Sequence, residues 1–444
     1  MLYKVRASER ESLTNHEARL VAALARLDSL VNWERMKRSA GTVFSLDPAR
    51  DLCARLGNPQ QKMRCVHVAG TKAKGSTAAL ISAGMRAAGL SEALYTSPHV
   101  VRLRERLRVR GEDVDAGALA LALERALAAH ADAIAAESPG CRATWFDVLT
   151  CACFLAAADS GATWLVAECG LGGRLDSTNV IAGEVCVITN IELEHQAVLG
   201  ATRALIAGEK AGILKPGSTL VTGVPADDEA GRVIDARAKE LSVAVLRPLG
   251  GDWDKARIEE RNLALAGAVL DELGRRGVLG ANSAALQRNL LDLRARSAAK
   301  LPGRLEWFLQ NDIPVALDGG HVPASIRDVL RDLGASAGRS AAPVVILGLA
   351  RDKDLPGVLK AVSGATDRVV CTSVGSDLHF TPYEIAMEAE QVGLVAETAA
   401  TPQDALRRAL VLARNGGWVL ATGSLYLAGS LRTQMMTVDT RPGC

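Results

Sequence analysis

The stretch Cys65–Thr77, CVHVAGTKAKGST, decides how the rest of the chain is read. An apolar run of strand length ends at Gly70, and a helical pattern starts near Ser76. Between them lies a short loop of glycines, lysines and hydroxyls. A helix N-terminus offers unpaired N–H donors and a partial positive charge, so this strand–loop–helix order suits phosphate oxygens. Lys74 would add a point charge at the β- and γ-phosphates of ATP, and Ser76 or Thr77 could reach a bound Mg²⁺. Thr71, Lys72, Ala73 and Gly75 complete the candidate ATP-binding loop. Here the lysine precedes the second glycine, so the pattern is not a strict Walker A, and GxGxxG is absent. Taken alone, the segment also fits a glycine turn ahead of an ordinary helix.

Outward from this loop, apolar runs of strand length alternate with longer helical stretches, which predicts an α/β fold with a mostly parallel sheet. Expected strands are Cys65–Ala69, Glu92–Thr96, Thr163–Glu168, Val185–Thr189 and Thr219–Thr222, then Val315–Leu317, Val344–Leu347, Arg368–Thr372 and Trp418–Ala421. Expected helices include Ser76–Gly89 and Pro402–Arg414. The basic segment LRARSAAKLPGR, Leu293–Arg304, breaks the pattern with Pro302 and Gly303. Two domains follow: 1–298, a P-loop-type nucleotide-binding α/β domain, and 299–444, a smaller Rossmann-like α/β domain. In such proteins, sites gather at the carboxyl ends of strands.

Composition agrees with two cores. The chain has 444 residues, 48% hydrophobic and 23% charged, more than one core usually holds and too apolar for a disordered chain. With only 3% aromatics, the core must be built from Ala, Leu and Val. Fifty-two basic against fifty acidic residues leave a formal charge of +2, with no bulk field to attract nucleic acid or an anionic membrane. Nine cysteines without a CxxC read as small buried residues in a reducing compartment. Cys151 and Cys153 fall on a helical stretch, where i and i+2 point to different faces. The opening MLYKVRASERES lacks the apolar region of a signal peptide. Charged residues interrupt Ala116–Ala136, so it reads as an Ala/Leu helix and not a membrane span. A cytoplasmic monomer acting on small molecules is the expectation.

Several blocks carry a family resemblance. GTKAKGST (70–77), TSPHVVRLRERLRV (96–109), AECGLGGRLDSTNVI (167–181), ITNIELEHQAVLG (188–200) and GEKAGILKPG (208–217) stand in one order. LDSLVNWERM (27–36) precedes them, and PGRLE (302–306), DGGHVPAS (318–325), GLARDKD (348–354) and GSLYLAG (423–429) follow. Together they resemble the folylpolyglutamate synthase/dihydrofolate synthase family of the Mur ligase superfamily, over nearly the whole chain.

The resemblance implies roles that the residue types alone do not fix. Glu168, at the end of the apolar run TWLVAE, is where an α/β site would place a hard oxygen donor for Mg²⁺. Read alone, it is equally a solvated strand end, His195 a structural histidine and Ser97 a turn residue. The resemblance implies that Ser97, Glu168 and His195 ligate magnesium. Imidazole is an unusual ligand for so hard a cation. It further implies that Lys210 is carbamylated and serves a second metal, which requires a neutral amine. Lys74, Lys210 and His321 are thereby the candidate catalytic residues. Asn262, Arg304 and Asp318 are implied to contact ATP, with closure of the second domain expected to bring Arg304, Asp318 and His321 onto the nucleotide. TWFD (144–147) and LDS (175–177) match pterin-binding segments, so Phe146, Leu175, Asp176 and Ser177 are candidate substrate contacts. Phe146 suits a flat heterocycle, and Asp176 could accept from pterin N–H groups.

The match departs from the family pattern at several places. Ala73 replaces a glycine, which costs on the order of 1 kcal/mol if the backbone there is left-handed. Glu192 stands where glycine is common, Glu194 replaces an aspartate, Val322 an asparagine and Cys169 a valine. The reading implied is an ATP-dependent ligase of folate biosynthesis and one-carbon metabolism. It would add L-glutamate to dihydropteroate or tetrahydrofolate through an acyl phosphate. Two alternatives are a ligase of the same superfamily with another acid or amine, and a non-catalytic ATP-binding regulator.

Overall fold

Strand β1 (Arg64–Ala69) is buried from its second residue onward, as an apolar run covered on both faces requires. The computed structural model describes residues 14–34, 44–250, 253, 255–279, 290–336, 342–375, 377–414 and 416–438. The opening dodecapeptide and the last two residues of the 27–36 block lie outside the described residues. The chain divides between Lys300 and Leu301 into two compact units.

In the first unit the other strands are β2 (Glu92–Tyr95), β3 (Leu107–Val109), β4 (Glu112–Asp113), β5 (Trp164–Glu168), β6 (Gly183–Ile188), β7 (Thr219–Thr222) and β8 (Ala244–Leu246). Their order is β4-β3-β2-β5-β1-β6-β7-β8, parallel from β2 to β8, with β3 and β4 forming an antiparallel edge. Helix Lys74–Ala87 follows the phosphate loop and packs on helix Ile258–Arg275. Gly84 permits that approach, because a Cβ there would lie 2.4 Å from a Leu270 methyl. Helix Trp145–Asp159 is buried almost all round, so Cys151 and Cys153 are both enclosed although they point different ways. Cys151 Sγ lies 3.5 Å from Cys53 Sγ, and the cysteines among the described residues are free thiols.

The second unit contains β9 (Glu306–Gln310), β10 (Ile313–Leu317), β11 (Pro343–Leu347), β12 (Arg368–Cys371), β13 (Val395–Thr398) and β14 (Trp418–Thr422). They run in the order β13-β12-β11-β14-β10-β9, parallel except for β9 against β10. Its core joins Val315, Leu317, Ile346 and Val419 from the sheet to Leu427 and Leu431 of helix Leu425–Val438. The α/β class with two mostly parallel sheets is therefore as the alternating pattern predicts. Helix Ala116–Ala135 lies against helices Asn15–Leu27 and Trp145–Asp159, and no helix among the described residues is long and apolar enough to cross a membrane.

Candidate active site

The phosphate loop leaves the carboxyl end of β1 at the centre of the first sheet. Ala73 has φ 63° and ψ 3°, the left-handed conformation that the family's usual glycine adopts without strain. Its neighbours are tied down. Thr71 N–H donates to the Asn190 carbonyl at 3.0 Å, and Lys72 N–H donates to Asn190 Oδ1 at 2.9 Å. Thr189 Oγ1 donates to the Lys72 carbonyl at 2.6 Å, and Glu192 N–H donates to Thr71 Oγ1 at 3.0 Å. Lys74 Nζ reaches back to the Thr71 carbonyl at 3.2 Å. Gly75 is buried and Ser76 half-buried, while the fully buried Thr77 hydroxyl points to Asn262 Oδ1 across 3.5 Å. Asn262 therefore lies on the helix that packs beside the loop's own helix. Ala73→Gly should release the left-handed strain, so ATP-dependent turnover should persist with an equal or lower KM for ATP. A loss of turnover on steady-state assay would make Ala73 a specialised residue instead.

The loops after β2, β5 and β6 flank this centre. Glu168 closes β5, is 3% exposed, and accepts the Ser97 N–H on Oε2 at 3.0 Å. Ser97 Oγ is buried and has no hydrogen-bond partner, an oxygen donor left available for a cation. His195 lies beyond β6 with φ 52°, ahead of the short helix Gln196–Leu199. Among the described residues no three His, Cys, Asp or Glu side chains gather as a metal cluster. A cation here would rest on a mixed set of hydroxyl, carboxylate and imidazole, and the unpartnered hydroxyl fits that set.

Lys210 comes from helix Arg203–Ala211 and is 4% exposed, with Nζ donating to the Gly70 carbonyl at 2.8 Å. Burial pushes its ammonium down to about 7; the nearby Lys74 and Lys72 cations act the same way, against Glu194 and Cys169. Its neutral form is thus accessible near neutral pH.

The two segments matched to pterin binding meet. Thr144 caps helix Trp145–Asp159 through a box with Asp147, whose other oxygen accepts the Ser177 hydroxyl at 2.6 Å. Phe146 presses on Gly170, where a Cβ would stand 2.5 Å from the ring. Leu175 is half-buried beside the exposed Arg174. The carboxyl of Asp176 has a different task from the one its residue type suggested. Its oxygens accept Leu171 N–H at 2.7 Å, Thr178 N–H at 3.0 Å and the Thr178 hydroxyl, so its acceptor capacity is spent on its own loop. With the Thr178 proton given to Asp176, the Thr178 oxygen accepts from His67 Nε2 at 2.9 Å. Burial pushes His67 down to about 3, which keeps it neutral and hangs this loop on β1. Cys169 Sγ lies 3.1 Å from the same imidazole nitrogen, a polar contact that the valine usual at this position could not make.

In the second unit, PGRLE and DGGH adjoin. Leu305 N–H donates to Asp318 Oδ2 at 3.0 Å, Gly319 N–H to the Gly303 carbonyl at 2.9 Å, and Gly320 N–H to Asp318 Oδ1 at 2.7 Å. Arg304 is half-buried and donates to the Pro302 carbonyl at 3.3 Å. His321 Nδ1 lies 2.8 Å from the Gly319 carbonyl, which can only accept, so Nδ1 carries the proton. Val322 is buried at the start of helix Pro323–Ser336.

Sequence reasoning missed the supports. Glu105 accepts the N–H groups of Val100, Val101 and Arg102, shaping the loop that follows Ser97. Arg106 is wholly buried and pairs with Glu34 at 2.6 Å. Asn190, Thr189 and Glu194 hold the phosphate loop across a gap of more than a hundred residues, for which no local pattern exists.

A family model described as "Mur ligase, glutamate ligase domain" matches residues 303–425. The dihydrofolate synthase/folylpolyglutamate synthase of Mycobacterium tuberculosis is 30% identical over 432 residues, covering 85% of this chain and 87% of its own. The solved structure of Mycobacterium tuberculosis folylpolyglutamate synthase complexed with ADP superposes with a TM-score of 0.79 at 27% identity, covering 97% of this chain and 100% of that one. A bifunctional folylpolyglutamate synthase/dihydrofolate synthase with Mn, AMPPNP and L-glutamate bound gives 0.76 at 25% identity, over 94% and 98% of the two chains.

Proposed function

The chain belongs to the dihydrofolate synthase/folylpolyglutamate synthase family, and from that premise we propose that it joins L-glutamate to a folate-type carboxylate with ATP. A carboxylate oxygen of the acid attacks the γ-phosphorus and ADP leaves, giving an acyl phosphate. The neutral amine of glutamate then attacks the acyl carbon, phosphate departs, and the nitrogen loses its proton to complete the amide. The protein's contribution is positioning and charge neutralisation. The observation that carries this reading is the phosphate loop with Lys74 and the buried Lys210 converging on it. Thr71 to Thr77 hold the phosphates, with Asn262 behind the loop; Arg304, Asp318 and His321 adjoin one another within the second unit.

ATP and a divalent cation are the implied cofactors. Ser97, Glu168 and His195 would hold the cation, which when bound neutralises phosphate charge. Lys210, pushed down to about 7, is suited to add carbon dioxide as a free amine and release a proton, giving an anionic carbamate that would serve a second metal. Phe146, Leu175 and Ser177 face the acid's pterin end, and Asp176 acts as a positioning residue that shapes the loop. Free thiols among the described residues fit a reducing cytoplasm.

Phosphate release should require ATP, glutamate and either dihydropteroate or tetrahydrofolate together. If neither acid supports it while an unrelated acid does, the substrate assignment fails; no turnover with any acid would favour a binding protein. Turnover should also rise with pH through about 7 as Lys210 loses its proton, and labelled bicarbonate should give a ¹³C carbamate signal absent from Lys210→Ala. A Lys210→Ala enzyme of full activity would remove the carbamate from the account.

A further inference from the structure

The left-handed Ala73 needs a restraint that a glycine loop would not. One candidate is an ion pair formed by two residues distant in sequence. Lys72 Nζ lies 2.9 Å from Glu194 Oε1, and both side chains are largely buried, 18% and 8% exposed. The pair closes a seam already begun by the backbone: residues 71 and 72 bond to residues 189, 190 and 192 through five hydrogen bonds of 2.6 to 3.4 Å. The aspartate usual at position 194 has one methylene fewer and would fall short of this lysine at the same backbone positions.

We propose that Lys72 and Glu194 form a clamp that presets the phosphate loop for nucleotide, with Glu194 acting as a positioning residue through Lys72. The clamp rests on the reading of this loop as the ATP site and adds how that site is held. A partly buried, charge-assisted hydrogen bond keeps more of its strength than an exposed ion pair. It sits one residue from Ala73, where slack would let the backbone relax to an ordinary right-handed or extended conformation and turn the loop amides away from the phosphates. Its removal should therefore weaken binding of nucleotide rather than slow the step that follows.

The test is a double-mutant cycle with Glu194→Gln, Lys72→Met and the combined variant. ADP affinity is read by titration calorimetry, and kcat at saturating ATP. Each single variant should weaken ADP about tenfold, and the pair should be no worse than either single, with affinity falling by more than kcat. Amide hydrogen exchange at Thr71 and Lys72 in the nucleotide-free protein should speed up in Glu194→Gln, which loss of a direct phosphate contact would not produce. Lys72→Arg, which keeps the charge and reach, should retain most of the affinity. Additive losses, unchanged exchange, or a fall in thermal stability with ADP affinity intact would overturn the clamp while leaving the ligase reading standing. A wild-type protein that binds no ADP would overturn both.

Discussion

Replacing Glu168 by Gln should lower glutamate-dependent ADP formation by at least about a thousandfold while leaving the fold unchanged. The substitution keeps the shape, and a glutamine oxygen can still accept the Ser97 N–H that Glu168 Oε2 takes at 3.0 Å. What disappears is the negative charge at the carboxyl end of β5, beside an unpartnered Ser97 hydroxyl. His195→Asn is the matching probe on the other flank. Asparagine tolerates the left-handed backbone that His195 adopts at φ 52°, so a loss there reports the imidazole and not the turn. The rates are to be paired with Mn²⁺ affinity measured by electron paramagnetic resonance, which should fall in both variants. A folded Glu168→Gln enzyme that works at the wild-type rate would end the metal assignment.

The second large effect is on stability. Arg106 is wholly buried, with Nη1 and Nη2 on Glu34 at 3.0 and 2.6 Å, Nε on His99 Nδ1 at 2.9 Å, and its guanidinium 5.0 Å from the Trp145 ring. Glu34 keeps 25% of its side-chain surface exposed. Glu34→Ala strands a cation where water cannot reach, and should cost about 3–5 kcal/mol. Arg106→Met strands only a carboxylate that can turn to solvent and fills the vacated space, so it should cost about half as much. Urea midpoints of the two variants check the order, and an equal or reversed order would mean that the guanidinium is hydrated after all. Because His99 and Ser97 share one loop, both variants should also weaken turnover.

The central strands were legible because each is a short apolar run closed by a glycine or polar residue, and their predicted ends fall within two residues of the observed ones. Those that escaped, β3, β4, β8, β9 and β13, lie at the sheet edges or, for β3, next to one. β9 and β13 expose alternate or terminal residues, and β4 is two acidic residues whose Asp113 pairs with Arg108 of β3. At the site, the strand–loop–helix order marked the candidate phosphate loop, whereas Ser97, Glu168, His195 and Lys210 were named through the family resemblance. What each side chain does could not be read this way. Asp176 spends its oxygens on neighbouring amides, and Glu194 finds Lys72 122 positions away. Both outcomes depend on which loops the sheet order brings side by side, and the periodicity of one segment carries no record of another.

The sheet orders also bear on how the protein is born. Within the second unit, β14 lies between β11 and β10, yet of the described strands it is the last to leave the ribosome. Until Trp418–Thr422 emerges, the nascent unit holds two separate sets, β13-β12-β11 and β10-β9, each with an open edge toward the gap. The same order recurs in the first unit, where β5 must enter between β2 and β1, both made earlier. A stop codon just before β14 would therefore remove the keystone of that sheet and expose two edges to whatever chaperone or protease reaches them first.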